Sequence, residues 1–98
     1  MTVERRTPIH PGEALVVEFM RPLGVSPGEL AEATGIPTRH INAITQGREP
    51  VTADDAWRIG CALGTGAKPW MDLQTEFEMG TAHAAHASTY AGIRPLPV

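Results

Sequence analysis

The sequence predicts an all-α domain of five short helices, and three observations carry that prediction. Proline, glycine and capping residues cut the chain into short segments, apolar residues within each segment recur at helical spacing, and the alternating β-branched runs of strands are missing. A chain of 98 residues is the size of one domain with a single core. The helical domain is expected over 11–79, between an N-terminal arm at 1–10 and a C-terminal tail at 80–98 that shows no clear apolar stripe.

The first helix opens at Pro11, which is tolerated there because a first-turn N–H has no helical acceptor. Leu15, Val16, Phe19 and Leu23 make its inward stripe, and Pro22 predicts a stop near Arg21 with a turn through Leu23 and Gly24. Ser26 reads as an N-cap, with Pro27 at the first helical position and Glu29 completing a capping box. Gly35 ends that second helix, and Pro37 forces a break and restart, so the third helix lies between Pro37 and Gln46. Thr52 with Asp55 repeats the cap signature, Ala56, Ile59, Gly60 and Leu63 form the buried face behind it, and Gly64 closes the fourth helix. The fifth begins between Gly66 and Pro69, buries Trp70, Leu73 and Phe77, and is expected to end at Gly80.

Composition excludes several classes of function. No apolar run approaches the ~20 residues of a membrane span, and Arg5 and Arg6 are followed by Pro8, His10, Pro11 and Glu13 rather than by an apolar stretch, which points to the cytoplasm and to no membrane partner. Cys61 is the only cysteine, so neither an internal disulfide nor a cysteine zinc site is available. His83 and His86 stand three apart without a nearby Asp, Glu or Cys, and read as surface histidines rather than as a metal site. There is no Gly-rich phosphate loop, no evident pair of carboxylates and no Ser/His/Asp arrangement, so neither an enzyme nor a cofactor is expected.

The net charge of -3 weighs against a nucleic-acid partner, but its distribution weighs the other way. Acids stand at Glu4, Glu13, Glu18, Glu29 and Glu32 and again from Glu49 onward, whereas Ala33 to Arg48 contains none and carries Arg39 and Arg48. Two short helices across a glycine-containing turn are the frame of the helix-turn-helix motif, whose second helix reads the major groove. Leu30 and Ile36 supply packing, Ala31 is small where the helices cross, and Ile41 and Ile44 hold the second helix down. Thr38, Arg39, Asn42 and Gln46 are left outward, and Arg48 stands just beyond them within reach of a phosphate. Arginine grips guanine through two bonds, and asparagine or glutamine does the same with adenine, so Arg39 and Asn42 lead the candidates, with His40 behind them. A polar face that merely meets water is the alternative.

These residues also resemble the HigA-type antitoxins of bacterial toxin-antitoxin pairs, within the lambda-repressor-like (Xre/Cro) group. The match runs from about Ile9 to Phe77 and is carried by Ile9-His10-Pro11-Gly12-Glu13-Ala14-Leu15, Pro22-Leu23-Gly24-Val25-Ser26, Gly35-Ile36-Pro37-Thr38-Arg39-His40-Ile41-Asn42-Ala43-Ile44, Gln46-Gly47-Arg48, Val51-Thr52-Ala53-Asp54, Gly64-Thr65 and Trp70-Met71-Asp72-Leu73-Gln74. The resemblance implies a five-helix lambda-repressor-like fold, a homodimer bound to double-stranded operator DNA at its own promoter, and neutralisation of a RelE/HigB-type ribonuclease toxin. It also implies a bacterial cytoplasm, with the chain on the nucleoid when bound to DNA. The family's reading positions fall on Thr38, Arg39 and Asn42, with Arg48 beyond. Three residues depart from the pattern: Pro27 replaces a glutamine able to touch phosphate, Thr34 an apolar packing residue, and Gly66 a capping serine. The first puts a backbone contact in doubt, and the other two are expected to cost stability.

With about nine residues before the first helix and a short tail, inhibition of a toxin is expected to use folded surface, alone or together with one terminus. Trp57 flanks the core face of the fourth helix and reads either as a widening of the core or as part of a protein contact such as a dimer seam; Cys61 reads as a small core or edge residue. A solitary helix-turn-helix regulator, and an interaction module with a weak DNA face, are the alternatives to the antitoxin.

Overall fold

The computed structural model describes residues 8–97, so Arg5 and Arg6 and most of the expected arm lie outside the described residues. Five helices succeed one another with no strand among the described residues. The first, α1, starts as Pro11–Ala14, continues through a π-helical stretch at Leu15–Met20 and finishes with the turn Arg21–Leu23. Next come α2 at Pro27–Thr34, α3 at Thr38–Thr45, α4 at Ala53–Leu63 and α5 at Lys68–Ala91.

The π stretch explains why Pro22 does not stop α1 near Arg21. In a π turn the bonds span five residues, as from the Arg21 N–H to the Val16 carbonyl, so the carbonyls are out of register with the bond that a proline would otherwise break. Two residues later the helix ends in a Schellman motif, with Gly24 N–H donating to Arg21 O at 3.2 Å and Val25 N–H to Met20 O at 2.9 Å. The extra residue in the turn also rotates the rest of α1 by about 100°. Leu23, expected inward, is therefore 62% exposed, and Met20 is buried in its place.

Both expected capping boxes form. Ser26 Oγ accepts the Glu29 N–H at 3.1 Å while Glu29 Oε1 accepts the Ser26 N–H at 2.8 Å, and Thr52 and Asp55 repeat the exchange at 3.1 and 3.0 Å. Gly35 leaves α2 with φ +79°, a left-handed turn that a side chain would strain. Thr34, expected to cost stability, is buried but fully engaged. Its hydroxyl donates to Leu30 O at 2.7 Å and accepts from Ile36 N–H at 3.1 Å, a backbone donor that the turn would otherwise leave without a partner. Arg58 then closes the turn from α4, donating to Thr34 O at 3.0 Å. The N-cap of α5 is Ala67, one residue past Gly66, and it makes no side-chain cap bond.

The core gathers Leu15, Leu30, Ile36, Ile41, Ile44, Val51, Ala56, Ile59 and Trp70. Phe19 leans on Trp70 at a ring separation of 5.5 Å, and the indole N–H is satisfied by Thr65 Oγ1 at 2.8 Å. Leu73 and Phe77 are only half-buried; buried Gln74 lies between them and accepts the Val51 N–H at 2.8 Å. The start of α1 lies directly on the end of α3, where a Cβ on Gly12 would fall 1.9 Å from Ile44 O. His10 caps that helix, its Nδ1 accepting the Gly12 N–H at 2.9 Å.

Gly80 does not end α5. A helix stops at glycine when a left-handed residue and a capping bond replace the ladder, and a lone interior glycine costs only about 1 kcal/mol among strong helix formers such as the alanines beyond it. Gly80 serves close approach instead, since a Cβ there would lie 2.6 Å from Pro8 Cγ. The result is a helical segment of 24 residues, kinked at His86 (φ -131°, ψ 25°), whose C-terminal half is exposed, in a molecule measuring 51 × 35 × 22 Å.

Candidate nucleic-acid interface

On α3 the 100° step between residues puts Thr38, Asn42, Thr45, Gln46 and Arg39 on one side and Ile41 and Ile44 on the other. The packing agrees: Ile41, Ala43 and Ile44 are buried, Thr38, Arg39 and Gln46 exposed, and Asn42 and Thr45 half-exposed. Gln46 and Arg48 meet just beyond the helix, where Arg48 Nε donates to Gln46 Oε1 at 2.9 Å. Five of the six predicted residues therefore share one polar surface, built on a helix held down by two isoleucines.

Arg58 and Lys68 are neutralised along their own helices by Asp54 at 2.8 Å and Asp72 at 2.9 Å. Arg39 and Arg48, beside the reading face, are in no ion pair among the described residues. A net negative chain thus presents free positive charge where a duplex would be met.

His40, the sixth predicted residue, stands apart from that face. Its Nδ1 lies 2.5 Å from Glu49 Oε1 and its Nε2 2.9 Å from Asp55 Oδ2, so both ring nitrogens are engaged by carboxylates from the loop after α3 and from α4. The hydrogen bond to buried Asp55 raises the imidazole pKa above its ordinary value, partial burial opposes the rise, and Glu49 adds to it. The ring is a clamp between the reading helix and α4. Two residues absent from the predicted set come close to the face. Thr45 occupies it directly, and Arg21 of α1 lines the same groove as Thr45 and Gln46. The 3.6-residue period marks Thr45, whereas only packing brings α1 to the end of α3.

Trp57 is 65% exposed and does not widen the core. Cys61 is exposed too, an edge residue rather than a core one.

No family model matches the chain. Individual proteins do. The Pseudomonas aeruginosa antitoxin HigA, solved with the higBA promoter, is 39% identical, with a TM-score of 0.86 over 91% of this chain and 98% of that one. The chain belongs to the HigA antitoxin family. Other antitoxins extend the likeness of this HigA-family chain. Antitoxin GraA in complex with its operator is 36% identical with a TM-score of 0.87, covering 100% of this chain and 99% of GraA. Antitoxin HigA-1 of Vibrio cholerae serotype O1 is 28% identical over 96 residues, 98% of this chain and 90% of that protein. The all-helical fold read from capping and periodicity is the fold of these helix-turn-helix antitoxins.

Proposed function

We propose that this HigA-family chain is an antitoxin and a transcriptional repressor that binds its own operator as a dimer and neutralises a RelE-type ribonuclease toxin. One observation carries the DNA-binding half: the polar stripe of α3 is flanked by arginines free of carboxylates, in a fold shared with antitoxins solved on promoter and operator DNA. In this reading Arg39 and Asn42 contact base edges, Thr38 and Gln46 support them, and Arg48 contacts phosphate. His40 positions the helix. Two such helices related by a dimer axis meet half-sites ~34 Å apart.

The exposed half of α5 supports the dimer. From Met79 to Ile93 the chain carries no Asp, Glu, Lys or Arg, and His83 and His86 lie with ring centroids 6.2 and 6.0 Å from Tyr90. An uncharged helix standing off the body gains stability chiefly by packing, and a second copy provides it. The toxin half rests on family membership. No described helix is long and apolar enough to cross a membrane.

Fluorescence anisotropy on a duplex of the chain's own upstream DNA tests the reading of α3. Arg39→Ala is expected to weaken binding by ~1–3 kcal/mol and to relax preference for that duplex over a shuffled one. Wild-type affinity in this variant removes Arg39 from the reading face. Co-purification with the product of the adjacent gene separates the antitoxin from a solitary regulator.

A further inference from the structure

We infer that Arg21, at the end of α1, is a phosphate anchor for the duplex, supplying from α1 a backbone contact that Pro27 does not offer at the start of α2. The inference rests on the reading of α3 as the base-contacting helix.

Arg21 stands where two shallow grooves meet. One, of about 490 Å³, runs between α1 and the end of α3 and is lined by His10, Glu13, Arg21, Thr45 and Gln46 among others. The other, of about 390 Å³, turns toward the start of α2 and is lined by Arg21, Ser26, Pro27 and Thr45. Both ends of the helix-turn-helix are thus reached from one side chain. The guanidinium is exposed and forms no ion pair among the described residues, including with Glu13 in the same groove. At the rim of a polar reading face rather than on it, a planar fork of N–H donors meets the duplex backbone, and its geometry matches a phosphate.

Two features of the local sequence sharpen the assignment. Pro27 has neither a side-chain donor nor an N–H, so the first residue of α2 has nothing to give a phosphate. The π stretch adds one residue to the turn before Arg21, and without it the side chain would be rotated by about 100°, away from the edge of the reading face. The same backbone irregularity that admits Pro22 and buries Met20 thus also sets the direction of Arg21.

The test measures anisotropy of the upstream duplex and of a shuffled duplex of equal length, from about 50 to 200 mM salt. Arg21→Gln is expected to weaken binding to both duplexes by the same factor. With one Arg21 from each protomer of the dimer, its plot of log affinity against log salt should be shallower by ~1.8, so that over the fourfold rise in salt it loses about 12-fold less affinity than the wild type. Arg21→Lys, which keeps a point charge, should retain the wild-type slope. An Arg21→Gln protein with the wild-type slope overturns the inference, and so does one that changes the preference between duplexes, because a phosphate contact carries no sequence information. Arg39→Ala in the same titration keeps the two readings apart. Loss of preference there with an unchanged Arg21→Gln slope removes Arg21 alone, whereas a wild-type chain that binds neither duplex removes both.

Discussion

His40 is the residue in which position and role diverge most. The period of α3 places it toward the carboxylates of Glu49 and Asp55, and both ring nitrogens are held there. An imidazolium satisfies both acceptors as a double donor, whereas the neutral ring has one N–H and sets a lone pair against the other carboxylate. Folding raises the His40 pKa, so the folded state holds the proton more tightly than the unfolded chain. The stabilisation is complete below the ordinary value of about 6.5 and is lost as pH rises through the raised folded value. Thermal melts between about pH 5 and 8 should show Tm falling on the alkaline side, and His40→Gln should flatten that fall. A variant with an unaltered pH profile would remove the clamp from the account of how α3 is seated.

At the scale of the element, close approach decides which glycines matter. A methyl on Gly12 would meet the Ile44 carbonyl at 1.9 Å and its carbon at 2.7 Å, both backbone atoms of the reading helix, so α1 and α3 would have to part. Gly12→Ala should therefore destabilise by roughly 2–3 kcal/mol, or Tm by about 10 °C or more, and weaken operator binding as α3 shifts. Gly28, inside α2, is the control: a Cβ there meets nothing nearer than Ser26 Oγ at 4.0 Å. Gly28→Ala should raise stability by about 0.5–1 kcal/mol, because the same methyl only removes backbone freedom from the unfolded chain. Equal effects from the two substitutions would mean that the α1–α3 contact is not what holds the motif. The capping boxes at Ser26 and Thr52 were legible because both partners lie within four residues. The π stretch was not, since nothing in Leu15–Met20 distinguishes it from an ordinary turn until Pro22 and the packing of Met20 are considered together.

For the whole molecule, the long α5 sets the expectation. Its outer half adds almost nothing to the core of one chain, yet carries Met79 and Tyr90 exposed with no charged residue between them. Light scattering should give a mass of about 21 kDa, twice the 10.5 kDa of one chain. Tyr90→Glu, at an exposed position, should shift the protein to the monomer and lower operator affinity more than tenfold through the lost second half-site. A monomeric wild type would place the dimer axis, if DNA imposes one, away from α5.

Sequence alone determined the helical class, the four turns, both capping boxes and the polar stripe Thr38, Arg39, Asn42 and Gln46, because each depends on residues within one or two helical turns. It also showed the acid-free stretch from Ala33 to Arg48 that makes DNA binding compatible with a negative chain. Tertiary structure decided the rest. Whether Gly80 ends a helix or admits Pro8, whether His40 faces a duplex or two carboxylates, and whether Arg21 reaches the edge of α3 all turn on contacts between segments distant in the chain. Periodicity gives the direction of a side chain, but only the packed neighbour determines what it meets.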